Sequence, residues 1–141
     1  MVTVMMNARE LIHAYTANIS DPDIASSLFA EDGVLELPYL ESLGIPSRVE
    51  GPSDIQAFLS SLLERVPDLG FDKVEILIDT EDQIFGEWSV ERTTVDGRPF
   101  SQDYAGRLVA ENGKIKLLRE SLDLVRAARA MLPNGVAGIP H

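Results

Sequence analysis

The 141-residue sequence predicts an α+β fold: a curved antiparallel sheet packed on three helices, cone-shaped, with an internal apolar pocket. Two observations carry that prediction. Apolar residues recur at helical spacing through most of the first half, whereas from Phe71 onward apolar and polar residues alternate between tight-turn signals. Helices segregated from a run of strands joined by short turns indicate α+β rather than a parallel, interleaved architecture. Hydrophobic residues make up 45% of the chain, enough for a core, and the length suits one domain. The domain is taken as 1–141, with its core at about 7–131 and a Pro/Gly-rich tail at 132–141.

Element by element, Leu11, Ile12, Tyr15 and Ile19 lie on one side of a first helix beginning at Asn7 and ending at Ser20-Asp21-Pro22. Asp21 or Asp23 can cap a second, short helix carrying Ile24, Leu28 and Phe29. Glu31-Asp32-Gly33 reads as a turn and Val34 to Pro38 as a strand, followed by a Gly/Pro-rich loop from Glu41 to Gly51. Pro52-Ser53 opens an amphipathic helix with Ile55, Phe58, Leu59, Leu62 and Val66 on one side, stopped by Pro67. Strands are expected over Phe71 to Ile78, Ile84 to Thr94, Gln102 to Val109 and Ile115 to Asp123. Val95-Asp96-Gly97-Arg98 and Glu111-Asn112-Gly113-Lys114 are the hairpin turns, and Val125 to Met131 is a short terminal helix.

Composition excludes several functions. The formal net charge is -11 and no stripe of Lys and Arg interrupts it, so nucleic acid would be repelled and is not expected as a partner. The chain has no cysteine, which removes disulfides, thiol nucleophiles and Cys-ligated metal and fits the cytoplasm, the expected location. No apolar run reaches 18 residues, so no membrane span is expected, and Met1 to Met6 is too short and uncharged for a secretory signal. Two scattered histidines, His13 and His141, make no zinc site. No GxSxG, P-loop or GxGxxG opens a helix, so covalent serine chemistry, nucleotide hydrolysis and dinucleotide binding are not expected. The acid–base chemistry to which the candidate residues point requires no metal or organic cofactor, and none is expected.

The order of elements, together with Tyr15, Leu28-Phe29-Ala30-Glu31-Asp32-Gly33, Glu36-Leu37-Pro38, Gly51 through Ile55 to Phe58, Gln102-Asp103-Tyr104, Asn112-Gly113-Lys114-Ile115 and Arg119-Glu120-Ser121-Leu122-Asp123, resembles the nuclear-transport-factor-2-like superfamily. Within it the chain resembles the SnoaL-like and ketosteroid-isomerase group over roughly Asn7 to Met131. Ketosteroid isomerases use an Asp base with a Tyr and a protonated Asp as oxyanion hole, a worked case of carboxyl tuning. The resemblance places Tyr15 at the Tyr donor, Leu37 at the base and Tyr104 at the protonated Asp. Leu37 cannot take a proton, so steroid isomerisation is not expected. Glu120 looks like the catalytic Glu of the small phenazine-biosynthesis proteins, although Phe58 stands where those carry an assisting His. The resemblance also implies pairing of two copies through the outer sheet face, where Phe85, Leu117 and Val109 would suit a homodimer.

Glu120 is therefore the first catalytic candidate. On a regular strand Leu118, Glu120 and Leu122 share one face, and the resemblance turns that face to the pocket. Flanked by Leu118 and Leu122, the carboxyl would be desolvated and its pKa raised toward neutrality, as suits a proton shuttle. The bland alternative is an ion pair with Arg92 or Arg107. Tyr15 and Tyr104 are candidate hydrogen-bond donors to a carbonyl or enolate oxygen, or else core tyrosines. Leu37, Phe58, Leu62, Trp88, Leu118 and Leu122 are candidate ligand-binding residues, with Trp88 assignable either to a pocket wall or to a dimer face. Asp103 and Asp123 are weaker candidates, as solvated or capping residues.

Together these readings predict acid–base isomerisation, cyclisation or dehydration of a small apolar, carbonyl-bearing or polyketide-like metabolite. The alternatives are a non-catalytic small-molecule binding domain and an interaction module.

Overall fold

The computed structural model describes residues 5–140, so the expectations for Met1 to Val4 and His141 lie outside the described residues. Helix α1, Ala8–Ala17, starts with a capping box. Asn7 Oδ1 accepts from Glu10 N at 2.9 Å and Glu10 Oε1 accepts from Asn7 N at 3.1 Å. Its Leu11, Ile12 and Tyr15 are buried. Helix α2, Pro22–Ser27, is capped by Asp21, which accepts from Ile24 N at 3.3 Å.

Strand β1, Phe29–Glu36, absorbs the turn expected at Glu31-Asp32-Gly33. The segment is an irregularity inside the strand, because the register against β6 shifts between Phe29 and Val34. Gly33 makes this possible: a Cβ there would lie 2.5 Å from the Ile115 carbonyl oxygen. A 3-10 helix follows at Pro38–Leu43, ended by Gly44 in the left-handed region (φ 72°). The expected loop to Gly51 also contains strand β2, Arg48–Glu50, an edge partner of β1. Three residues are too few to produce an alternating pattern.

Helix α3, Pro52–Arg65, and strands β3 (Lys73–Asp79), β4 (Gln83–Thr93), β5 (Pro99–Glu111) and β6 (Lys114–Ser121) follow, then helix α4 (Leu124–Met131). β6 stops two residues before its expected end because Asp123 caps α4, accepting from Val125 N at 3.0 Å and Arg126 N at 3.1 Å. The six strands form one sheet in the order β2-β1-β6-β5-β4-β3. All pairings are antiparallel except β1 with β6, a parallel contact the local pattern could not announce. A second 3-10 turn, Gly135–Gly138, lies in the tail.

The inner sheet face carries Ile84, Trp88, Phe100, Tyr104, Leu108 and Glu120, all buried together with α1 and the Ile55/Leu59 side of α3. The outer face carries Phe85, Val109 and Leu117; Phe85 lies opposite Ile78, which is 62% exposed. Among the described residues no helix is long and apolar enough to cross a membrane.

Candidate active site

Strand alternation brings Glu120 to the concave side of β6, where it is only 4% exposed. Its Oε2 accepts a hydrogen bond from the Trp88 indole Nε1 at 2.8 Å. Trp88 stands on β4, and β5 runs between the two. The indole crosses that gap over Gly106, which pairs with Gly86 on β4 and with Glu120 on β6. A Cβ at Gly106 would lie 2.5 Å from Trp88 Cη2 and 2.7 Å from Cζ2, so the missing side chain is the space the ring occupies. The ion pair considered for Glu120 is absent. Arg92 Nη1 bonds Asp72 Oδ1 at 2.7 Å, and Arg107 meets Gln83 at 3.5 Å.

Burial pushes the Glu120 carboxyl up to about 7, against the lowering effect of the Trp88 hydrogen bond. Tyr15 and Tyr104 are both raised, first by burial and then by the negative charge of Glu120. The two phenols therefore stay protonated and act only as hydrogen-bond donors or acceptors. Each is braced by an edge-on ring, Phe29 against Tyr15 and Phe71 against Tyr104, both with centroids 5.8 Å apart.

These three groups share the wall of a small inner chamber of about 40 Å³ with Leu37, Phe58 and Leu62. A larger outer chamber of about 230 Å³ adjoins it across Leu37, Phe58, Leu62 and Tyr104. Its far side is built by α4 (Ala127, Ala130, Met131), by Leu40 and Ile45 of the β1–β2 connection, and by Leu122. The outer chamber does not touch Glu120. A molecule held there reaches the carboxyl by extending into the inner chamber, past the shared residues Leu37, Phe58, Leu62 and Tyr104.

The structure thus brings Glu120, Tyr15, Tyr104, Leu37, Phe58 and Leu62 together, with Leu122 on the outer chamber alone. Two expected ligand-binding residues border neither chamber. Leu118 is fully buried core, and Trp88 lies behind Glu120, 2% exposed, holding the carboxyl rather than facing the cavity. That inward placement also settles which sheet face Trp88 occupies. Asp103 is exposed and bonds Arg126 at 3.0 Å, Asp123 is the α4 cap, and His13 is exposed on α1. Among the described residues no three His, Asp or Glu converge as a metal site. Sequence reasoning missed Arg65 and Arg126, two cations on the outer chamber wall. No local pattern distinguishes them from the surface arginines, because the wall forms only when α3 and α4 meet.

A curved sheet closed by helices is the fold of the nuclear-transport-factor-2-like and ketosteroid-isomerase-like structures that this chain resembles. Residues 8–118 match the SnoaL-like domain, and the chain belongs to that family. A phenazine biosynthesis-related protein of Pseudomonas aeruginosa superposes with a TM-score of 0.75 at 19% identity, covering 88% of this chain and 84% of that one. TerC, co-crystallised with polyporic acid, gives a TM-score of 0.73 at 19% identity over 87% of this chain and 96% of its own. A Catenulispora acidiphila protein of ketosteroid isomerase-like fold, in complex with trimethylamine, gives 0.68 at 19% identity over 88% and 94%. At this identity the likeness is one of fold. The chain matches no curated protein sequence.

Proposed function

We propose that this protein is a cofactor-independent acid–base enzyme, an isomerase, cyclase or dehydratase, acting on a small apolar carbonyl-bearing or polyketide-like metabolite. The observation that carries the reading is a buried carboxyl without an ion-pair partner among the described residues, facing a cavity beside two protonated phenols. A carboxyl near 7 is present in both protonation states at neutral pH, the condition under which one group can both take and return a proton. Glu120 removes the proton from the carbon next to the substrate carbonyl. The carbonyl oxygen, as it gains charge, accepts a hydrogen bond from Tyr104 or Tyr15. Glu120 then delivers the proton to another carbon or to a leaving hydroxyl. The SnoaL-like family, and the small-molecule ligands named for two fold neighbours, favour a small-molecule site.

Hydrogen–deuterium exchange at the α-carbon of a bicyclic ketone such as 2-tetralone tests this by NMR. Exchange is expected with the wild type, about tenfold slower with Tyr104→Phe, and lost with Glu120→Gln. Binding without exchange would move the reading to a carrier domain. Leu37 at the position of the isomerase base is the observation that favours that second reading.

Two copies are proposed to pair through the outer sheet face on the strength of exposed Ile78 and Phe85 beside Val109 and Leu117, and the cytoplasm is proposed as the location of a chain without cysteine. Light scattering at micromolar concentration is expected to give twice the 15.5 kDa chain mass, and a monomer contradicts the pairing.

A further inference from the structure

We propose that Glu120 also acts through a water held in the inner chamber, and that the protein adds this water across the C=C bond of an apolar α,β-unsaturated ketone lodged in the outer chamber. The proposal shares with the reading above only the use of Glu120 as base, here on water rather than on carbon.

The two chambers keep the carboxyl apart from a bulky ligand. Glu120 and Tyr15 border the inner chamber and not the outer one, while Tyr104 borders both. An apolar cavity of about 150 Å³ accommodates benzene, so the outer chamber of about 230 Å³ takes a ring and the inner one of about 40 Å³ does not. A water needs about 15 Å³ and two to four polar partners, and the inner chamber offers both.

The partners are three atoms that the fold leaves free. Glu120 Oε2 is taken by the Trp88 indole at 2.8 Å, which leaves Oε1. Among the described residues, Glu120 Oε1 and the hydroxyls of Tyr15 and Tyr104 have no hydrogen-bond partner. None of the three is sealed in, because the one fully enclosed side-chain nitrogen or oxygen without a partner among those residues is Arg65 Nε. Their residues are at most 9% exposed, so the open space these atoms touch is the cavity. A buried polar atom without a partner is costly, and three of them around a space of this size call for a polar occupant. Two phenol donors and one carboxylate acceptor match the lone pairs and an O–H of a water.

With a ketone in the outer chamber, Tyr104 donates to the carbonyl oxygen while Tyr15 and Glu120 keep the water. Glu120 takes a proton from the water, whose oxygen bonds to the β-carbon. The C=C electron pair moves to the carbonyl oxygen as an enolate. The α-carbon then takes back the proton held by Glu120, so the sum is one water added. An enone suits these groups better than an epoxide, because its oxygen needs only a hydrogen bond and burial makes both phenols keep their protons.

NMR of cyclohex-2-enone incubated with the protein tests the activity through the appearance of 3-hydroxycyclohexanone. The wild type is expected to form it faster than buffer, Tyr15→Phe about tenfold more slowly than wild type, and Glu120→Gln at the buffer rate. A crystal structure is expected to show a water within about 3 Å of Tyr15 Oη and Glu120 Oε1. Hydration by the wild type no faster than in buffer overturns the proposal, and so does a crystal structure without that water. Undiminished hydration by Tyr15→Phe overturns it as well. The 2-tetralone exchange assay on the same samples separates the two ideas. Exchange without hydration leaves the acid–base reading and removes the water; hydration without exchange does the reverse.

Discussion

Replacing Glu120 by Gln is expected to abolish turnover and at the same time to make the protein more stable. The loss of rate should be about 10³-fold, within the range that a positioned general acid–base supplies. The gain in stability follows from the same burial. The folded carboxyl sits at about 7 against an ordinary value of 4.5, so between these values the folded state binds the proton that the unfolded chain has released. The contribution of this group is full below about 4.5 and is lost as the pH rises through about 7. The gap corresponds to about 3 kcal/mol at alkaline pH. Gln is neutral at every pH and its amide oxygen can still accept from the Trp88 indole. Urea unfolding should therefore find the variant more stable than wild type at pH 8 and no different at pH 4. A variant less stable at both pH values would mean that Glu120 serves the fold rather than the chemistry.

The second large effect belongs to a residue with no chemistry of its own. Gly106→Ala puts a methyl group within 2.5 Å of the Trp88 ring, whose surroundings are packed core. The ring cannot stay, and displacing a buried indole should cost about 3 kcal/mol. The change also severs the bond from Nε1 to Glu120, which Trp88→Phe does with less disturbance. That bond lowers the Glu120 pKa, so losing it moves the carboxyl further above 7. The base form would then be populated only at higher pH. The alkaline-shifted rate profile of Trp88→Phe, set beside its melting curve, separates tuning of the carboxyl from simple loss of packing. An unshifted profile would assign the indole to packing alone.

Which parts of this arrangement the sequence could reveal follows from the range of the interactions involved. Helices α1 and α3 were legible because their apolar stripes, and the prolines that bound α3, are local signals. The hairpins of β4, β5 and β6 were legible for the same reason, through alternation and turn residues. Strand β2 and the parallel β1–β6 pairing were not, since an edge strand of three residues has no period and strand direction is decided by partners far along the chain. Parity on β6 showed which residues share a face with Glu120, and the family resemblance implied that this face turns inward; neither announced its partner. An arginine was the alternative weighed for it, and the structure supplies an indole reaching across a glycine from two strands away. Leu118 shares the face of Glu120 and is nonetheless core, fully buried and on the wall of neither chamber.

The most direct test of the account is the pKa of Glu120 in the intact protein, read by carboxyl carbon NMR with Glu120→Gln identifying the resonance. The account expects a midpoint near 7, a desolvated carboxyl shared between its two forms at neutral pH. A midpoint near the ordinary carboxyl value of 4.5 would contradict it, leaving a permanently charged group that could neither donate a proton nor sit dry against the cavity.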